Sequence, residues 1–388
     1  MTVYADNAAT TRMSRTALDA MLPAMEENYG NPSSLHSVGQ RAAELLMKSR
    51  ETVARCLNCQ PREIIFTSGG SEADNQALLS AAAIGRRKGK KHIISTAFEH
   101  HAILHTLKKL EKEGFQVELL PVHENGMVSA RQVADAIRED TCLVTVMFAN
   151  NEIGTIQPVK ELGEVCRRRG VMFHVDGVQA AGHIMIDIQQ LPVDMMTMAA
   201  HKMYGPKGLG ALYVRKGIKL IPTLHGGGQE FGLRSGTENV PGIVGFGVAA
   251  EIAKERLARG DDKKLARLRD YFIDGVLSRI PESHLTGAVG DDRLPFHTSF
   301  TIKYIEGEGM LLLLDAAGIA ASSGSACTSG SLEPSYVLLA LGLDHTTAHG
   351  SVRLTMSHDT TKEDIDYVLE KFPAIVEKLR AMSPFYKK

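Results

Sequence analysis

No apolar run in this 388-residue sequence approaches the roughly 20 residues that carry a helix across a bilayer, so no membrane-spanning helix is expected. The opening MTVYADNAATTRMSR has no basic segment followed by an apolar one, and no export signal is expected either. Neither sign of charge dominates. Against 45 acidic residues stand 44 Lys and Arg, a net charge of -1. That balance gives no long-range pull toward nucleic acid or an anionic membrane, and points to a small-molecule or protein partner. Cysteine is scarce: Cys56, Cys59, Cys142, Cys166 and Cys327 are an odd number without framework spacing. They read as reduced thiols in a cytoplasm. Internal repeats and low-complexity segments are also missing.

What is present is a long alternation. A chain this long exceeds the size at which one core keeps growing, so two domains are expected. Strand-like runs occur at 63–67, 92–96, 117–120, 142–148, 171–175, 194–198 and 211–214, with helical stretches such as VKELGEVCRRRG between them. The pattern predicts an α/β fold whose parallel sheet is covered by helices on both faces. A charged amphipathic stretch near 248–280 interrupts it. Strands near 299–305 and 351–356, with helices near 309–316 and 362–381, then predict a smaller α+β domain.

Four segments are candidates for chemistry. IIFTSGGSEADNQALL reads as strand, glycine turn and helix, with Ser71 expected at the helix cap, a place that favours phosphate. It matches neither nucleotide-binding glycine motif, and it equally fits an ordinary turn. Lys202, in AAHKMYGPKG at a strand end, suits a lysine desolvated enough to act as an amine base, although most lysines are simply on the surface. Asp176, in FHVDGVQ, is an acid ending a buried strand. Either a cation such as a protonated pyridine nitrogen pairs with it, or it caps the next turn. The segment Asn150-Asn151-Glu152-Ile153-Gly154 is either a plain turn or an amide contact to a ring oxygen. All should converge at the carboxyl ends of the strands.

Together with YADNAATT and GNPSSLHSVG, the motifs HKMYGPKG, HVDGVQ and NNEIGTIQP resemble the cysteine desulfurases of the NifS/IscS kind, over effectively the whole chain. These have the aminotransferase-like fold of pyridoxal-phosphate enzymes (fold type I). The resemblance implies a large cofactor-binding domain over residues 16–255 and a small domain over 1–15 and 256–388. It implies a pyridoxal 5'-phosphate aldimine on Lys202, Asp176 at the pyridine nitrogen, and Gln179 and Asn151 by the phenolic oxygen. His100 would stack on the ring and carry protons. Gly70, Ser71 and His201 would hold the phosphate, with Thr237 reaching in from the second subunit of a homodimer. Arg353 would grip the carboxylate of L-cysteine. Two departures stand out. Ala199 replaces a serine common in the family, which removes one phosphate hydrogen bond. Phe296 follows Leu294 and Pro295 where asparagine is usual, and nothing in the sequence explains it.

The fifth cysteine differs from the rest. SSGSACTSGSLEPS surrounds Cys327 with small polar residues, as access to a reactive thiolate requires. The segment resembles the persulfide-carrying loop of the long-loop group, and its composition predicts a mobile arm that delivers sulfur. The pair Cys56 and Cys59 has no second ligand pair, so packing is expected and no metal. The expected activity is conversion of L-cysteine to L-alanine, with sulfur passed from Cys327 to an iron–sulfur scaffold or a tRNA-thiolation enzyme. Selenocysteine lyase, an ordinary aminotransferase and a catalytically silent sulfur-relay scaffold are the rivals.

Overall fold

The computed structural model describes residues 2–323, 333–384 and 386. Twelve strands are described: β1 (Val3–Tyr4), β2 (Ile64–Thr67), β3 (His92–Thr96), β4 (Gln116–Leu120), β5 (Thr141–Met147), β6 (Met172–Asp176), β7 (Met195–Ala199), β8 (Gly210–Val214), β9 (Ser283–Leu285), β10 (His297–Ile302), β11 (Ile319–Ala320) and β12 (Ser351–Thr355). Seven form one sheet in the order β2-β8-β7-β6-β5-β3-β4. All seven match the strand-like runs of the sequence within a residue or two. Every residue of β2, β3, β5, β7 and β8 is buried, because helices cover both faces of the sheet.

One strand departs from an all-parallel sheet. β8 runs antiparallel to both β7 and β2. The connection between β7 and β8 spans only 200–209, too short for a covering crossover helix, so the chain turns straight back. The expected stretch at 248–280 is also broken. Gly260, in the left-handed region at φ 75°, separates helix Val240–Ala258 from helix Asp261–Arg279.

Beyond this sheet, β12, β10 and β9 form a three-stranded antiparallel sheet. The N-terminal β1 lies parallel to β11, so Val3, Ala5 and Ala8 share a core with Phe272, Phe300, Val352 and Leu369. A capping box of Thr361 and Asp364 starts the last helix, Lys362–Met382. No helix among the described residues is long and apolar enough to cross a membrane.

A buried arginine ties the two sheets together. Thr155, beyond β5, bridges to Arg293, and Leu294 N–H donates to Gly154 O at 2.9 Å. The Arg293 guanidinium then donates to the carbonyls of Ala288, Thr286 and His297. Among the described residues no carboxylate bonds it, and three backbone carbonyls accept from this one side chain. Arg293→Met should cost about 3 kcal/mol or more in urea unfolding, because those buried carbonyls would lose their donors. A loss below about 1 kcal/mol would show that other donors replace it.

Candidate active site

β2, β3, β5, β6 and β7 all run the same way, so their carboxyl ends share one edge of the sheet. Lys202 follows β7 in a single 3-10 turn, Ala200–Lys202. Its Nζ donates to the carbonyls of Ala8 at 2.6 Å and Ala9 at 2.7 Å. Gln179 Nε2 donates to the same Ala8 oxygen at 3.0 Å. The N-terminal segment is pinned there from both sides. Asn7 Nδ2 donates to Thr355 O, and Thr11 donates through N and Oγ1 to His201 O. His201 faces Thr10 Oγ1 at 3.1 Å through Nδ1, and burial followed by Lys202 pulls its pKa down to about 4.

Asp176 ends β6 as a buried acid, and both readings of it are compatible with the geometry. Its Oδ1 accepts from Val178 N at 3.0 Å, as a turn cap does. Burial pushes its pKa up, while His100 and Lys202 pull it down. His100 caps helix His101–Lys112, with Nδ1 accepting from Ala102 N at 3.1 Å. That leaves Nε2 as the other nitrogen of the ring. Burial pulls the His100 pKa down, offset by Asp176.

Two further buried acids surround Asp176. Glu99 accepts from Thr96 Oγ1 at 2.6 Å and Met147 N at 3.0 Å, and burial pushes it up to about 8. Asp74, on the covering helix Gly70–Arg87, is raised by burial and then by Asp176. His174 lies 3.6 Å from it, held by Thr145 and Thr197. Burial pulls His174 down to about 3, so this histidine is neutral and supplies no counter-charge. Sequence reading missed Glu99 and Asp74, since a lone acid in a helical or turn segment reads as a surface residue.

The glycine turn differs in one detail from expectation. Gly69 takes the cap position and Ser71 sits exposed in the first helical turn, so Ser71 is not the cap. A Cβ on Gly70 would meet Val178 Cγ2 at 2.9 Å, and one on Gly210 would meet the Gly69 carbonyl carbon at 2.6 Å. Close packing thus requires glycine at both positions, and the first-turn N–H groups of the helix have no partner inside it.

Asn150 is the structural member of its pair, its Oδ1 accepting from the N–H groups of Glu152 and Ile153. The Asn151 carbonyl accepts from Arg353 Nη1 at 2.9 Å and faces His297 Nε2 at 3.0 Å. Arg353 also bonds Asp6 at 2.9 Å, and among the described residues its buried Nε has no partner. Thr237 is exposed and borders a cavity shared with Ser68 and Gly208. Cys327 and residues 324–332 around it, including the expected delivery arm, lie outside the described residues. The flanking residues are tied to the site. Ser322 exchanges backbone hydrogen bonds with Arg353, Ser335 Oγ donates to Glu152 at 2.5 Å, and Tyr336 OH donates to Glu99 O at 2.6 Å. Cys56 and Cys59 are half-buried, and burial pushes their thiols up to about 11 and 12.

Residues 3–368 match the model of the aminotransferase class-V family. The chain belongs to that family, among proteins of the NifS/IscS type. It is 51% identical over 386 residues to cysteine desulfurase IscS of Clostridium botulinum (strain Hall), covering 99% of this chain and 97% of that one. It is 51% identical to cysteine desulfurase IscS of Methanosarcina thermophila, covering 100% and 95%. Among solved structures, a NifS-like protein superposes with a TM-score of 0.91 at 39% identity, over 98% of this chain and 100% of that one. The NifS-like protein of Rickettsia africae gives 0.86 at 30% identity, over 97% and 100%. The aminotransferase-like fold expected from the motifs is therefore the fold observed.

The buried acids have a measurable consequence for this family member. Glu99 holds its proton up to about pH 8 when folded, but only below its ordinary 4.5 when unfolded. The folded chain thus binds more protons across that window, and stability must fall as pH rises through it. Urea unfolding of the cofactor-free protein should weaken from about pH 5 to pH 8, and Glu99→Gln should flatten the slope by up to ~1.4 kcal/mol per pH unit. An unchanged slope in the variant would mean that Glu99 does not titrate there.

Proposed function

We propose that this chain is a cysteine desulfurase that takes sulfur from L-cysteine as a persulfide on Cys327 and releases L-alanine. The observation that carries the reading is the meeting of an amine, an acid and a guanidinium at one sheet edge. Lys202 lies by the Ala8 and Ala9 carbonyls, Asp176 is buried near it, and Arg353 keeps a buried Nε–H without a partner among the described residues. The residues fit the cofactor general to the family, pyridoxal 5'-phosphate. Lys202 would hold its aldehyde carbon, Asp176 its pyridine nitrogen, Gln179 and Asn151 its phenolic oxygen, and His100 its ring face. The helix start at Gly70 and Ser71, with His201, would take the phosphate; Ala199 contributes no hydrogen bond there. When bound, the cofactor supplies an electron sink for negative charge at the substrate Cα.

The chain's own groups do the rest. Asp176, kept away from water, would pair with a protonated ring nitrogen. The Lys202 amine takes and returns the Cα proton, and His100 Nε2 is free to carry a second one. Arg353 turns its orphaned donor to the substrate carboxylate. The Cys327 thiolate attacks the substrate sulfur, so an S–S bond forms as the C–S bond breaks. The electron pair stays on Cβ, which takes up a proton. Burial holds the four described thiols at about 11 to 12, out of the thiolate range, which supports Cys327 as the nucleophile. Sulfur then passes to a protein acceptor, an iron–sulfur scaffold or a tRNA-thiolation enzyme, in a reducing cytoplasm.

The test separates the two halves of the reaction. Lys202→Ala should lose both the visible absorbance of the loaded protein and alanine release, while Lys207→Ala keeps both. Cys327→Ala should still bind cofactor and cysteine but release almost no alanine. Near-normal turnover in either active-site variant would refute its assignment.

A second copy of the chain belongs to this reading. Leu35 is 94% exposed and Tyr29 72%, and Met47 and Phe231 line a cavity beside them with Arg50 and Glu230. Such apolar exposure marks an interface, and Thr237 would reach the partner's phosphate site across it. The protein should sediment as a dimer, and Thr237→Val should lower cofactor affinity. A fully active monomer at assay concentration would refute the shared site.

A further inference from the structure

Phe296 is the unexplained departure of the sequence, and the structure gives it a neighbour. The Phe296 ring is buried, and its centroid lies 4.2 Å from that of His183, tilted by 34°. His183 follows Gly182, whose φ of 82° turns the chain tightly after the Gln179 segment. A Cβ on Gly182 would sit 2.7 Å from Met203 Cβ, so this turn packs directly on the residue after Lys202. Across that contact, His183 Nε2 is 2.8 Å from the carbonyl oxygen of Lys202.

A carbonyl only accepts, so the hydrogen must sit on Nε2. The ring is neutral as well. Burial lowers its proton affinity most, and the positive charges of Arg256 and Lys202, with His358, oppose a second proton, which leaves its pKa at about 4. Tyr204 completes the surroundings, its ring centroid 6.3 Å away. The wall formed by Phe296 offers no hydrogen-bonding group to compete for the imidazole, as an asparagine at that position would. The donor is thereby committed to the Lys202 carbonyl.

That bond completes a set of backbone anchors. Ala200 O accepts from Met203 N and Gly205 N, and His201 O accepts from Thr11. Lys202 O is fixed from the opposite side by His183. A lysine side chain has four flexible carbons, so placing its amine depends on where the main chain is clamped. We propose that His183, walled by Phe296, is a positioning residue for Lys202. The inference rests on Lys202 being the reactive lysine.

The experiment uses the full-length protein, prepared without cofactor and then loaded with pyridoxal phosphate. It compares His183→Leu, His183→Gln, which keeps a donor at the Nε2 position, and Phe296→Asn. Borohydride trapping reads how fast the cofactor-free protein captures the aldehyde on Lys202, and steady-state assays separate kcat from KM. His183→Leu should slow both capture and kcat about tenfold, with KM for cysteine within about twofold. His183→Gln should recover most of the loss. Phe296→Asn should slow capture less, and ¹⁵N-histidine spectra of the cofactor-free protein should show the His183 pKa raised.

Wild-type capture and kcat in His183→Leu, with only a lowered melting temperature, would reduce His183 to packing and overturn the proposal. So would a His183→Gln variant as slow as the leucine one, since the donor would then be irrelevant. If His183→Leu fails to fold, the glutamine and asparagine variants carry the same decision. Activity retained in Lys202→Ala would instead sink the lysine assignment, a failure visible without any His183 variant.

Discussion

The carboxyl ends of five co-directional strands bring a lysine amine and three buried acids into one small volume, and the rest of the site answers that electrostatic constraint. Asp74, Glu99 and Asp176 cannot all be ionised in an interior this dry, because charges at such separations repel strongly where water does not screen them. His174 is neutral, and Lys202 is held by backbone carbonyls. Burial pushes all three acids up, and of them only Asp176 is pulled back down by the positive charges of His100 and Lys202.

The same constraint explains why the N-terminus matters so much. Residues 8 and 9 supply no functional side chain, yet their carbonyls receive Lys202 Nζ, and Asn7 and Thr11 fix their position. The segment in turn starts from β1, which is paired to β11 beside the Cys327 segment. The large sheet supplies the edge and the second core supplies its cover. Arg353 joins them, bonding Asp6 on one side and the Asn151 carbonyl on the other.

Much of this was legible in the sequence, for physical reasons that differ by element. The seven strands of the main sheet show as short runs rich in Ile, Val and Met because most are buried on both faces. β1, β9 and β11 are two or three residues long and carry no period to detect. The direction of β8 lay in a connection length, not in its residues. Lys202, Asp176 and Asn151 were singled out through motifs and Arg353 through the family resemblance, and the structure brings all four to the neighbourhood of one sheet edge. Ser71 was assigned a cap that Gly69 takes, because a glycine cap bonds nothing with a side chain and leaves no signature. Glu99, Asp74 and Glu152 were passed over because only tertiary burial separates them from surface acids. The carbonyls of Ala8 and Ala9 are invisible to any reading of side-chain chemistry.

Burial also links the substrate end of the site to its sulfur end. The Arg353 guanidinium bonds Asp6 and the Asn151 carbonyl, while its own backbone pairs with Ser322, where the described chain approaches residue 324. On the far side, Ser335 is bonded to Glu152, one residue past Asn151, and burial lifts that acid to about 7. A protonated Glu152 can donate to the serine oxygen, and an ionised one can only accept from it, so either charge state keeps a bond there. Ser322 and Ser335, on either side of residues 324–332, are therefore bonded to Arg353 and to the neighbour of Asn151. A displacement of Arg353 or of the Asn151 turn must be felt at those fastenings, because each shares a backbone hydrogen bond or a neighbouring peptide with them. Arg353, the Asn151 turn, Ser322 and Ser335 thus belong to one hydrogen-bonded frame, which neither sheet builds alone.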